Sequence, residues 1–201
     1  MGSGYAFDEQ RKTVSAWNPQ TDVWALAHGT KISALCVAGS SFSILMRMRQ
    51  FFSLFSQQHL LGTILPVVVL PSMGYIIAND IFIERPFVTR LSRPNIGQHF
   101  CSTCLEVRGS FIQATAGVFA PFLLSVFSCA AASISYRTFP VPDLGDFRKV
   151  LSLVRRAGGS LSSTLILLTL ANAFVGGFIT LRMADQSALI RTTLRTSHLS
   201  E

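Results

Sequence analysis

Apolar and polar positions along this chain fall into long blocks instead of alternating at short range. Four stretches lack Asp, Glu, Lys and Arg: Ile32–Met46, a stretch within Gln50–Asn79 centred on Leu60–Ala78, Gly109–Tyr136 and Ala157–Leu181. A helix needs about 20 apolar residues to cross a bilayer. The third and fourth stretches exceed this length and the second meets it. The first reaches it only if Arg47 and Arg49 extend their charged ends toward the lipid headgroups. The pattern predicts an all-α membrane protein, a bundle of four transmembrane helices over residues 32–48, 60–79, 109–136 and 157–181. In this reading residues 1–31 form a peripheral N-terminal segment, residues 32–181 the transmembrane domain and residues 182–201 a polar tail reaching into water.

Shorter periodicities refine the picture. Between spans three and four, Leu144, Phe147, Leu151 and Val154 recur near helical spacing, opposite Asp146, Arg148, Lys149 and Arg155. That pattern predicts a short amphipathic helix on the membrane surface before the fourth span. Pro66 and Pro71 interrupt the second span. Proline removes a helix hydrogen bond and crowds the carbonyl four residues back, so a kink is expected there. Small residues recur four apart at Ala116 and Ala120 and at Ala173 and Gly177, among others. In lipid such pairs let helix backbones approach closely. They serve packing within the bundle or docking to other membrane proteins, and spacing does not separate the two. Gln113 and Asn172 are the side-chain amides of spans three and four. With no charge in mid-span, an ion or proton path has no stepping stones.

Composition agrees with the pattern. Hydrophobic residues make up 49% of the 201 and charged residues 13%, about half the share usual in soluble domains. Mean hydropathy is +0.44 and the net charge +7. The basic residues stand singly or in pairs, such as Arg148–Lys149 and Arg155–Arg156. That suits loops flanking membrane spans and argues against a nucleic-acid partner. With four spans both termini share one side, which holds the larger number of Lys and Arg and is therefore expected to face the negative compartment. The opening residues carry neither a signal-peptide core nor an arginine-rich transit pattern, so targeting information is expected within the chain. Trp17 and Trp24 suit a membrane interface or a partner surface.

The candidate chemistry centres on Cys101 and Cys104, in C-x-x-C spacing at the entry to span three. Such a pair can form a structural disulfide, pack as two thiols, cycle as a redox disulfide or supply half of a zinc site. His99 adds a third donor, but the zinc fourth would have to come from His28, His59, His198 or an acid. A membrane thiol oxidoreductase is the alternative reading, although such enzymes use a second, shuttling cysteine pair. The other cysteines, Cys36 and Cys129, lie within spans. No phosphate loop, HExxH, GxSxG or carboxylate pair is present, so no catalytic residue, cofactor or metal is expected.

The order of these parts resembles the transmembrane protein 126 family of the mitochondrial inner membrane. The likeness runs through LCVAGSSFSILMRMRQFF, LPVVVLPSMGYIIANDIF and FCSTCLEVRGSFIQATAGVFAPFLLS to Tyr136-Arg137, over residues 17–140. Span four matches in placement and hydropathy. The resemblance implies a multi-pass inner-membrane protein that is not an enzyme but a scaffold in assembly of respiratory complex I. It would bind membrane-arm subunits and other assembly factors, or stay as an accessory subunit. The resemblance carries no catalytic residues over. Cys101 and Cys104 transfer only as a recurring family feature.

Overall fold

The computed structural model describes residues 17, 20–54, 60–85, 102–138 and 147–197, and every regular element among them is helical. A single 3-10 turn, Gln20–Val23, leads into α1, Trp24–Phe51. Helix α2 runs Leu60–Glu84, α3 Thr103–Tyr136 and α4 Phe147–Ser197. All four are long and apolar enough to cross a membrane. Helices α1 and α3 each pack against every other helix, with α2 and α4 flanking this central pair.

Two ends of the bundle have their own cores. At one, Leu45 and Met48 of α1 and Phe52 just beyond it meet Val67 of α2, Val126, Cys129 and Ala130 of α3, and Ala157 and Leu161 of α4. At the other, Ala25 packs on Ile179 and Met183, and Ile83 on Leu105. Trp24 lies half-buried against the first of these groups.

Helix α2 is attached along one narrow ridge. Its buried residues are Thr63, Val67, Pro71, Tyr75, Asn79 and Ile83, every fourth position. A regular α-helix turns about 100° per residue, so a four-residue step overshoots a full turn by about 40°. Over the five steps the ridge would wander about 200° around the axis. Two π-turns, Leu65–Val69 and Asp80–Glu84, correct this. Each accommodates one extra residue, setting the helix back by about 100°. The ridge therefore stays on one side.

The π-turns are placed by proline. The Leu70 N–H bonds to the Leu65 carbonyl, and the next residue is Pro71. In α3 the Ala120 N–H bonds to the Thr115 carbonyl immediately before Pro121. The Arg85 N–H bonds to the Asp80 carbonyl, and the sequence continues with Pro86. Opening the turn ahead of a proline moves aside the carbonyl its ring would strike. The disturbance expected at Pro66 and Pro71 thus takes the form of an inserted residue, and α2 continues through both.

Helix α4 is 51 residues long, which at the helical rise is about 75 Å, more than twice the hydrocarbon thickness of a bilayer. The described part of the amphipathic stretch, from Phe147, is continuous with the fourth span. Residues 141–146 lie outside the described residues. Where the sequence suggested a polar tail from residue 182, the helix continues to Ser197 and buries Met183, Gln186, Ser187 and Ile190. Gln186 has a specific task there. Helix α1 starts without a capping side chain of its own. The Ala25 and Leu26 N–H groups instead donate to Gln186 Oε1 at 3.0 and 3.2 Å, filling an acceptor role that Ser, Thr, Asp or Asn usually plays locally.

Two helix ends share an unusual cap. Ser53 and Arg137 have φ of 55° and 52°. Leu54 N–H bonds back to Arg49 O, and Thr138 N–H to Ser133 O, the six-residue Schellman closure that glycine normally serves. A side chain in this left-handed region costs about 1 kcal/mol. Ser53→Gly is therefore expected to stabilise the protein by up to about 1 kcal/mol, measured as a higher midpoint of unfolding in detergent.

Candidate functional site

Among the described residues, α3 and α4 approach closely along a glycine seam. A Cβ added at Gly176 would stand 2.8 Å from the Gly109 carbonyl oxygen and 2.8 Å from Gln113 Cβ. One at Gly109 would collide with Thr180. One at Gly177 would lie 2.7 Å from Ser110 Oγ and 3.2 Å from Glu106 Cγ. The missing side chains bring the two backbones together, the means by which helices associate where surrounding lipid is as apolar as they are.

Polar groups line the seam and its continuation to α1. Ser40 Oγ lies 2.8 Å from the Gly117 carbonyl oxygen, which it meets as donor, and Gln113 Nε2 donates to Ser33 O at 3.4 Å. Asn172 Nδ2 donates to Leu168 O within its own helix, while its Oδ1 points toward the Cα side of Gly117. Gln113 Oε1 and Asn172 Oδ1 are buried without a conventional hydrogen bond. Their positions suit the weaker C–H donors that glycine backbones offer at close crossings. The two amides noted in the sequence thus both face glycines of a neighbouring helix.

Two polar clasps fasten α2 to α1, one at each end of the ridge. At the first, Arg49 is only 7% exposed and its Nη1 donates to Thr63 Oγ1 at 3.2 Å. Arg49 is therefore turned into the bundle, whereas Arg47 is exposed as expected. At the other, Thr30 Oγ1 donates to Glu84 Oε1 at 2.5 Å, and Asn79 Nδ2 donates to Thr30 Oγ1 and Glu84 Oε1 at 3.1 and 3.2 Å. The sequence reading did not single out Thr30, Thr63, Asn79 or Gln186. A usable signal was present for Asn79, which shares the four-residue register of Tyr75 and Ile83.

The residues that were singled out are dispersed. Gly177 is buried in the α3–α4 seam, and Ala116, Ala120 and Ala173 are half-buried. Cys104 is exposed at the start of α3, while Cys101, His59, His99 and His198 lie outside the described residues. His28 is exposed, Cys36 half-buried and Cys129 buried in the core beside Leu45 and Met48. Among the described residues no three His, Cys, Asp or Glu side chains come together as metal ligands. Within the described interior, Ser40, Gln113, Arg49, Asn79 and Gln186 bond from helix to helix, an arrangement that fixes helix positions, while Ser41, Ser133 and Thr180 bond within their own helices.

Comparison with known proteins gives a concordant result. A family model described as transmembrane protein 126 matches residues 18–192. A protein of that name from Drosophila melanogaster is 26% identical over 151 residues, covering 75% of this chain and 65% of the relative. The match thus spans just under two thirds of the relative's own length. No solved structure matches.

Proposed function

Because the chain belongs to the transmembrane protein 126 family, we propose that it is a non-enzymatic scaffold of the mitochondrial inner membrane that acts in assembly of respiratory complex I. The family match over residues 18–192 carries this reading. Its partners are membrane-arm subunits and other assembly factors, held transiently or as a stable association. The physical form of the molecule is in keeping with such work. In its most apolar window α2 is 22% buried, against 44% for α3. Leu65, Leu70, Met73 and Ile77 are exposed on α2, leaving a broad apolar flank for an immature membrane subunit.

The direct test is affinity purification from mitochondrial membranes in mild detergent. Complex I membrane-arm subunits are expected among the co-purifying proteins, and their absence from repeated preparations would count against the proposal. A scaffold needs no thiol chemistry. Replacing Cys101 and Cys104 together by Ser is thus expected to leave complex I assembly intact, as read on native gels. Loss of assembly in a variant that still folds and inserts would favour the thiol oxidoreductase instead.

A further inference from the structure

Beside the core that Ala157 and Leu161 share with α1, the two helices border an open groove of about 570 Å³, lined by Phe42, Met46, Arg47, Gln50, Ser163 and Leu167, among others. We propose that this groove holds a phospholipid with an anionic headgroup. The observation behind it is a graded wall on both helices. Phe42 and Met46 of α1 and Leu167 and Leu168 of α4 form the mainly apolar stretch, with Ser43 among them. Toward the end of the bundle the lining changes to Arg47, Gln50, Ser163 and Thr164. Arg156, exposed on α4, precedes Ser163 by seven residues, two turns and about 10 Å along the same face. Fatty chain below and phosphate above is the polarity of a phospholipid, and the groove is bordered by two helices long and apolar enough to cross a membrane.

Charge selects the headgroup. Arg47, Arg49, Arg137, Arg148, Lys149, Arg155 and Arg156 all lie at this end of the bundle. The described acids Asp22, Asp80, Glu84, Glu106 and Asp185 all lie at the other. Among the described residues, a phosphate at Arg47 therefore has basic and no acidic side chains at its end of the bundle, and near a membrane surface basic residues favour an anionic lipid. A zwitterionic lipid brings its own ammonium group into the same field and loses much of that advantage. The volume falls within the range of ordinary ligand clefts.

The test is native mass spectrometry of the full chain, released from bilayers of equal parts phosphatidylglycerol and phosphatidylcholine. The expected result is retention of phosphatidylglycerol at least fivefold over phosphatidylcholine. Arg47→Gln should erase most of that preference while lipid is still retained. Leu167→Trp, which fills the groove, should lower retention of both lipids, and Leu61→Trp on the exposed face of α2 should change neither. Soluble glycerol phosphate should not displace the lipid, since the fatty chain holds it as well as the headgroup. Equal retention of the two lipids overturns the proposal. So does a preference that survives both Arg47→Gln and Leu167→Trp, or a second protein chain recovered in the groove in place of lipid.

Discussion

Replacing Gly176 by Val is expected to cost about 3 kcal/mol and to loosen α4 from α3. The magnitude follows from what surrounds the site. The first added carbon already stands 2.8 Å from a backbone oxygen, that of Gly109, and 2.8 Å from Gln113 Cβ. Neither can swing away, so relief requires the helices to separate along the seam. Gly177→Ala should cost less, because the atoms it meets belong to the side chains of Ser110 and Glu106. Gly159 serves as the control. It lies in the same helix with nothing within 4 Å of an added carbon, and Gly159→Ala should stabilise the helix by about 0.5–1 kcal/mol. Unfolding of the three variants in detergent, followed by circular dichroism, reads the order directly. Equal effects at positions 159 and 176 would remove the seam from the account.

A second large effect is expected at the clasps of α2. Asn79→Ala removes the donor to Thr30 and Glu84, and losing a partner for buried polar groups costs about 1–3 kcal/mol. Thr63→Ala removes the acceptor of an Arg49 hydrogen bond and should cost about 1 kcal/mol. The two sites are sixteen residues apart on one helix, about 24 Å. Their effects should therefore add to within about 0.5 kcal/mol. The double variant should free α2 while α1, α3 and α4 stay together, since α2 is held by a single ridge. Accessibility of a cysteine placed at Val67 reports that release. Protection of that thiol in the double variant would show that the apolar ridge suffices without its clasps.

The sequence made the spans legible and left the manner of their packing hidden, and the reason is physical. Hydropathy registers lipid contact, which depends on composition over about 20 residues. The ridge of α2 depends instead on π-turns, which shift the register by one residue and are invisible to a search tuned to 3.6 residues per turn. Prolines 71 and 121 marked where those turns fall, but proline alone does not distinguish a kink from an inserted residue. The cap at the start of α1 was hidden for another reason. Its acceptor, Gln186, lies 161 residues away in a stretch whose polarity suggested a tail. Ser53 and Arg137 occupy positions where glycine would have announced the helix end. By contrast, Gln113, Asn172 and Gly177 were noticeable because amides and glycines stand out in apolar spans, and all three lie in the α3–α4 contact. Of Cys101 and Cys104, the most conspicuous motif in the sequence, Cys104 is exposed at the start of α3 and Cys101 lies outside the described residues.

These features describe a bundle built to hold its helices at fixed positions, with polar groups used between helices and apolar surface left for the membrane and what is embedded in it. Scaffolding of complex I assembly is the function proposed for it, and one measurement bears on that most directly. In cells deleted for the chain, native gels of mitochondrial membranes should show assembled complex I reduced and membrane-arm intermediates accumulating, with recovery on re-expression. A normal level of assembled complex I in those cells would contradict the account.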